Sequence, residues 1–305
     1  MAVGIGRRAR SIEEFGANMG VLAGLTQPEA RHSIVPRPDD VYITSWAKSG
    51  TTLSQQMFHQ LRMAHLTGAI DMDFTDISGV VPWEDTATMI DFDMHAPQKA
   101  APRGFKSHRE YERLPSGSRY VVTLRDPHET YVSMYRFFDG WHLEKGALAL
   151  DEFMPLWLGG GPGGCDYFTH LLSWYARRDE PDTLLVTYRW VVENKRRMIR
   201  EMASFLGIEA SDDLVEMVVD ATDREFMHRH KDRFDDALVC AVMDKHLGIP
   251  ANSDSTKVQA SGSDAKVLPA SIAQEIDAMW AERVAPVTGH ANFASLKDEI
   301  DARFS

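Results

Sequence analysis

Lys48-Ser49-Gly50-Thr51-Thr52 puts a cation, hydroxyl donors and a glycine in consecutive positions. Hydroxyls donate, glycine lets backbone N–H groups approach a ligand closely, and the lysine supplies charge. A plain turn needs fewer polar donors than this, so the run reads as a loop for a phosphate-like anion. A second group repeats the logic: Arg125 precedes Asp126-Pro127, and Ser133 follows eight residues after the arginine. Alone, an arginine before Asp-Pro reads as a capping or salt-bridge residue. Paired with the first loop, it suggests a ligand with two separated anionic groups. A third group, Lys106-Ser107-His108, sets an imidazole two residues from a lysine. An imidazole is the side chain best suited to take a proton near neutral pH.

The elements around these groups explain how they could meet. Short apolar, β-branched runs at 41–45, 104–107, 119–124 and 183–188 read as buried parallel strands. Lys48, Lys106-His108 and Arg125 each follow or end one of them. Leu53, Met57 and Leu61 share one helical face directly after the first loop. Further helices are expected from Pro127, with Tyr131, Met134, Tyr135 and Phe138 on one face, around Phe168–Tyr175, and from Met198 to a stop at Gly207. Alternating strands and helices predict an α/β fold, a single domain with a central parallel β-sheet flanked by helices. Ligands of such sheets collect at the carboxyl ends of the strands. Residues 1–40 read as a helical, peripheral N-terminal segment and 41–305 as the domain. Gly159–Gly164 reads as a connector or lid, and 245–269 as an irregular stretch.

Composition narrows the function classes. The 305 residues are 44% hydrophobic and 26% charged, enough for a sizeable core, with a net charge of −12 that disfavours nucleic acid as a partner. No apolar stretch is long enough to cross a bilayer, so no stable membrane insertion is expected. The basic N-terminus lacks the apolar run of a secretory signal. Cys165 and Cys240 are too few for a disulfide framework. The expected setting is the cytoplasm.

In these residues the sequence resembles the cytosolic-type sulfotransferases, which use 3′-phosphoadenosine 5′-phosphosulfate (PAPS). Lys48-Ser-Gly-Thr-Thr52 is similar to their P-loop-like 5′-phosphosulfate loop, and Lys106-Ser-His108 to their Lys-Thr-His. Arg125 with Ser133, followed by Phe137-Phe138, is similar to their 3′-phosphate motif. Asp166-Tyr-Phe-Thr-His170 with Trp174, and Leu184-Leu-Val-Thr-Tyr188, continue the resemblance, which runs in order from about residue 39 to 230. There are departures. Leu53 stands where the family usually has an adenine-packing tryptophan, Trp46-Ala47 replaces a Tyr-Pro pair, and Arg189 stands where a glutamate is common. Arg224 aligns with the phenylalanine on the other face of the adenine, with Phe226 as the alternative one step along. Lys257-Val-Gln-Ala-Ser-Gly262 is only a rough counterpart of the C-terminal Arg-Lys-Gly-x-x-Gly segment, and no C-terminal dimerisation motif is recognisable.

The resemblance implies transfer of a sulfuryl group to the hydroxyl or amine of a small apolar acceptor such as a phenol, sterol or lipid alcohol. Adenosine 3′,5′-bisphosphate (PAP) is then the product, and no metal takes part. His108 is then the general base, with Lys48 and Lys106 as the catalytic cations. The cofactor-binding set is Lys48, Ser49, Gly50, Thr51, Thr52, Leu53, Arg125, Ser133, Tyr188, Arg224 and Lys257. Val80–Asp85, Phe137, Phe138, Trp141 and the 159–164 loop are candidate walls of the acceptor pocket. A homodimer is left open. Two other readings stand beside this one. A P-loop nucleotide kinase would place its lysine after the glycine, whereas Lys48 precedes Gly50. A non-catalytic nucleotide-binding scaffold would have no use for His108.

Overall fold

The computed structural model describes residues 4–24, 30–160, 163–250, 253, 255, 257, 258 and 268–304. Its centre is a sheet of four parallel strands, β1 (Val41–Thr44), β2 (Gly104–Ser107), β3 (Arg119–Leu124) and β4 (Thr183–Thr187), in the order β2-β1-β3-β4. The expected strands are therefore present, each within a residue of its sequence limits. The exception that matters is Tyr188, which opens a helix instead of ending the last strand. Thr187 ends β4 as an N-cap, its hydroxyl accepting the N–H of Trp190.

The helices, in chain order, are α1 (Ile12–Ala23), α2 (Thr51–Thr67), α3 (Pro127–Phe138), α4 (Met154–Leu158), α5 (Tyr167–Tyr175), α6 (Tyr188–Glu193) and α7 (Lys195–Leu206). They continue as α8 (Asp212–Ala221), α9 (Arg224–Arg229), α10 (Ala237–Leu247), α11 (Ala270–Arg283), α12 (Ala285–Thr288) and α13 (Phe293–Ala302). The start of the 245–269 stretch thus completes α10. Most of the rest of that stretch, including Gln259–Gly262, lies outside the described residues, as do 161 and 162 of the glycine-rich loop.

Strand residues are buried on both faces, and alternation divides them between two cores. Val41 and Ile43 join Val121 and Val186 against α2, α7 and α8. Tyr42, Phe105 and Val122 point to the opposite core, with side chains from α3, α4, α5, α11 and α13. Local chemistry fixes the helix starts. Asp126 caps α3 by accepting from His128 N (2.8 Å), with Pro127 as its first residue. Asp166 caps α5 through Phe168 N (2.9 Å). α7 stops at Gly207, whose φ of 72° closes it as the sequence suggests.

Chain order places the site. From β1 the chain moves outward to β2, then crosses back to β3 on the other side of β1. The loops leaving β1 and β3 therefore diverge, and their carboxyl ends flank a crevice. Lys48 leaves β1 and Arg125 leaves β3. In register, Ile43 pairs with both Lys106 and Val121, which brings the β2 lysine to the same edge.

α2 lies tightly on the sheet. A Cβ on Gly104, the first residue of β2, would stand 2.1 Å from the Phe58 ring of α2. Gly104→Ala is expected to cost about 1–3 kcal/mol by overpacking, with a lower Tm in thermal unfolding. Shortening the opposing ring, Phe58→Leu, should recover part of the loss. Equal stability of Gly104→Ala and wild type would contradict this packing.

Candidate active site

The loop between β1 and α2 turns through two left-handed residues, Lys48 (φ 67°) and Gly50 (φ 98°). Gly50 is required by a neighbour as well as by its backbone, because a Cβ there would lie 2.5 Å from the Tyr188 ring. It is also the N-cap of α2 and gives no side-chain bond to the first helical N–H groups, which stay available to an anion. Ser49 is buried, and its Oγ has no hydrogen-bond partner among the described residues. Thr51 and Ser45 bond through their hydroxyls, while Thr52 and Leu53 line the cavity in front of the loop. The Lys48 ammonium sits 4.0 Å from the centre of the Phe137 ring on α3.

At the end of β2, His108 Nδ1 lies 2.7 Å from the carbonyl oxygen of Ser45. A carbonyl only accepts, so Nδ1 carries the proton and Nε2 keeps its lone pair. Burial holds the imidazole well below its ordinary pKa, and the nearby Lys106 cation adds to the effect. The ring is therefore neutral at neutral pH. Asp85 fixes its backbone: Oδ2 accepts the N–H of His108 (2.9 Å) and the indole N–H of Trp83 (2.9 Å), while Oδ1 accepts from Arg109 Nε (2.9 Å). Beside it Glu84 accepts from Ser107 Oγ (2.6 Å), and burial together with Asp85 pushes its carboxyl up to about 7.

Trp83 carries the Lys106 ammonium on its face, 3.4 Å from the ring centre, with Lys257 at 5.6 Å. Lys106 also lies 3.9 Å from Asp236 Oδ1, and Lys257 forms an ion pair with Asp236 Oδ2. Burial draws Lys48 and Lys106 down to about 7, and in both cases Lys257 is the next largest influence. Asp236 works against that fall.

On the β3 side, Arg125 donates from Nη1 to the Lys48 carbonyl oxygen (2.8 Å), pairs with Glu129 (2.8 Å) and stacks on Tyr188, 4.5 Å from its centre. Its own carbonyl oxygen accepts the Tyr167 hydroxyl (2.6 Å). Ser133 lies two turns along α3 on the same wall, and Arg224 opens α9 across from it.

Lys48, Lys106, His108, Arg125, Asp236 and Lys257, with Trp83 and Asp85, line one cavity of about 1150 Å³. Its polar end holds Lys48, Gly50, Thr51, Arg125, Ser133 and Tyr188, and its apolar end Phe15, Met19, Met89, Phe137, Trp141 and Met243. Every sequence-predicted cofactor residue except Ser49 lines it; Ser49 is a buried residue of the loop itself. Lys257 makes its contacts at the Lys106–Trp83 side. Trp46 packs in the core against Trp157 and Tyr167, its indole donating to the Cys165 carbonyl (3.2 Å). Phe226 turns to His230, 4.7 Å between centres, whereas Met227 lines the cavity and shares a core cluster with Leu53. Of the acceptor-wall candidates, Trp83, Asp85, Phe137, Phe138, Trp141, Gly159 and Gly160 are lining residues.

Sequence reasoning missed Asp236, the positioning part of Asp85, and the share of α1 in the apolar wall. Asp236 had a weak signal, as one of an Asp-Asp pair before an apolar run. Among the described residues no group of His, Cys, Asp or Glu has the geometry of a metal site, and no helix is long and apolar enough to cross a membrane.

A family model of the sulfotransferase domain matches residues 38–238, and the chain belongs to that family. It is 25% identical over 190 residues to the amine sulfotransferase of Oryctolagus cuniculus, covering 60% of this chain and 61% of that protein. It is 26% identical over 194 residues to sulfotransferase 1E1 of Bos taurus, covering 61% and 65%. The chain thus spans somewhat under two thirds of the length of these curated relatives. Among solved structures it is similar to mouse sulfotransferase SULT7A1 complexed with PAP, with a TM-score of 0.58, 20% identity and coverage of 87% and 89%. It is also similar to a retinol dehydratase in complex with androsterone and PAP, with a TM-score of 0.56, 18% identity and coverage of 79% and 78%. At these identities the solved structures establish the fold.

The cavity lysines give a direct test. Side-chain NMR of the full chain should show Lys48 and Lys106 titrating near pH 7, well below the ordinary lysine range, with signals assigned by Lys48→Met and Lys106→Met. Midpoints near 10 for both would mean that the cavity does not desolvate them.

Proposed function

We propose that this protein is a PAPS-dependent sulfotransferase acting on a hydroxyl or amine of a small apolar acceptor, in the cytoplasm. The observation that carries the reading is the position of His108. Its tautomer is fixed by Ser45, and it lines the same cavity as Lys48, Lys106 and the open N-terminus of α2. The residues present suit a phosphosulfate nucleotide: a buried hydroxyl at Ser49 without a partner among the described residues, a glycine cradle closed by Tyr188, and lysines drawn down by burial.

When bound, PAPS supplies the sulfuryl group and leaves as PAP. The chain's own residues do the rest. His108 Nε2 takes the proton of the acceptor as its oxygen or nitrogen attacks, and later returns that proton to solvent. Lys106 faces the charge on the sulfuryl oxygens. Lys48 would offset charge gained by the leaving group, while the loop N–H groups, Ser49, Thr51 and Thr52 would hold the 5′ group. Arg125 and Ser133 would hold the 3′-phosphate, and Tyr188, Leu53, Arg224 and Met227, which line the same cavity, would take the base. The apolar end, built from α1, α3 and α10, takes the acceptor. Retinol and androsterone, present in the retinol dehydratase structures, are apolar alcohols of the kind this end suits.

The first test measures PAP release from PAPS with a panel of phenols, sterols and aliphatic alcohols. His108→Ala should lose ~10²–10⁴-fold in rate and keep its PAP affinity. Thermal shift should respond to PAP and not to ATP with magnesium. Full turnover by His108→Ala makes the histidine structural, and a response to ATP alone supports the kinase.

The second test addresses the base. Base–aromatic stacking is worth roughly 1–3 kcal/mol by alanine substitution, and leucine covers a purine less well than an indole does. Leu53→Trp is expected to tighten PAP binding, and Arg224→Ala to weaken it, in calorimetric titration. Weaker binding by Leu53→Trp would put the base elsewhere in the cavity.

A further inference from the structure

We propose that Asp236 is a positioning residue of the transfer centre, its carboxylate holding the ammonium groups of Lys106 and Lys257 together and charged beside the anion-binding loop. The inference rests on the phosphosulfate reading of this cavity.

Asp236 lies just before α10 with φ 52° and ψ 40°, a left-handed conformation uncommon outside glycine, though more accessible to Asp and Asn than to most residues, and one that neighbouring bonds constrain here. The constraint is visible on both sides. The next residue, Ala237, donates its N–H to Asp76 Oδ2 (2.8 Å), and the Asp236 carbonyl accepts from Cys240 N (2.9 Å). The resulting direction sends the Asp236 side chain into the wall of the cavity, where none of it reaches solvent. There its carboxylate meets ammonium groups and makes no oriented hydrogen bond among the described residues. A carboxylate needed only to cap α10 would turn to that helix's N–H groups; no side-chain cap bond is made.

Lys257 reaches this place through the same pair of aspartates. Asp235 holds the chain that carries it, its carbonyl accepting from Ser255 Oγ (2.9 Å) and its Oδ1 from Lys257 N (3.2 Å), while Asp236 takes the ammonium. Other charged or titratable groups bear on Asp236 from each neighbouring element. Lys106 comes from β2, Lys48 from the β1 loop, Asp76 from the turn before Ile77, and Cys240 from α10, with Asp244 one turn further along that helix.

The charges then have a definite logic. Burial and the closeness of Lys257 both work to strip the proton from Lys106, and Asp236 is the first-ranked influence that keeps it on. Burial by itself would raise the Asp236 carboxyl, but Lys257 and Lys106 hold it below its ordinary value. A lysine is charged below its pKa, so its attraction for an anion is lost as pH rises through that value. Removing the carboxylate moves that loss to lower pH, and removing Lys257 moves it to higher pH. A residue serving only the fold would change anion affinity equally at every pH.

The test uses Asp236→Asn in the full chain. Asparagine keeps the shape and tolerates φ above zero, and thermal unfolding checks that the variant folds. The Lys106 side-chain NMR midpoint should fall by at least about one pH unit, a tenfold change in proton affinity. In Lys257→Met it should rise. PAP affinity, measured by calorimetry from pH 5.5 to 9, should follow: about tenfold weaker at pH 7.5 for Asp236→Asn and within a few-fold of wild type at pH 5.5. An unchanged Lys106 midpoint in Asp236→Asn overturns the proposal. So does a loss of PAP affinity that is uniform across pH. Should Asp236→Asn not fold, the direction of the Lys257→Met midpoint decides: a fall or no change overturns the proposal. Absence of PAP binding to wild type at every pH removes the phosphosulfate reading instead, and leaves the NMR result to judge Asp236.

Discussion

Positive charge kept out of water at the carboxyl edge of a parallel sheet is the constraint around which this molecule is arranged. Lys48, Lys106 and Lys257 come from three separate parts of the chain and meet in one cavity. Ammonium groups so placed lose hydration, and only opposite charge, polarisable faces or a bound anion can compensate. The fold supplies the first two. Asp236 faces Lys106 and Lys257, Trp83 carries Lys106 at 3.4 Å, and Phe137 carries Lys48 at 4.0 Å. Compensation is incomplete, since Lys48 and Lys106 still stand near 7. A multiply charged anion arriving here would restore their hold on protons, so anion binding and proton uptake are coupled by the same burial.

That constraint also shapes His108. A buried imidazole is hard to protonate, and here repulsion from the nearby lysines adds to the desolvation. The cost is basicity, because proton-transfer efficiency follows pKa. The gain is that the lone pair on Nε2 is present throughout the neutral range. Ser45 fixes the tautomer through its carbonyl, and Asp85 fixes the backbone while tying the histidine to Trp83. The proposed base and the support of its neighbouring lysine are thus set by one carboxylate. Displacing Asp85 would disturb both together.

Much of this was legible in the sequence where the signal is local. Short β-branched runs gave the strands because a parallel strand is buried on both faces, and the functional loops were legible because they sit directly after those runs. Lys48, Arg125 and His108 converge for that reason, and Ser133 joins them from two turns along α3. What could not be read depends on contacts between distant segments. Asp236 meets Lys106 from 130 positions away, and no spacing rule reports such a pairing. Trp46 adjoins the anion loop in sequence but points into the core, because Trp157 and Tyr167 occupy the space behind it. On α9 the helical turn sends Phe226 to His230 and Met227 to the cavity, a rotation that one residue of register decides. The apolar face of α1 looked like any surface helix, and its packing with α10 is visible only in three dimensions.

The two ends of the cavity are joined through Phe137. One face of its ring carries the Lys48 ammonium, and Trp141 of the apolar end stands edge-on to it, 4.6 Å between centres. An acceptor packed against Phe137 and Trp141 would therefore press on the ring that supports a cation of the anion loop. Lys48 in turn is tied to the β3 side of the cavity, because its carbonyl accepts from the guanidinium of Arg125. Phe137 therefore touches Lys48 directly and is linked to Arg125 through the loop backbone. The sheet is buried on both faces, whereas Phe137 and Trp141 are side chains of the cavity above its edge. The methionines of the apolar wall, Met19, Met89 and Met243, suit that arrangement, since flexible thioethers adapt to the shape of an occupant at little cost.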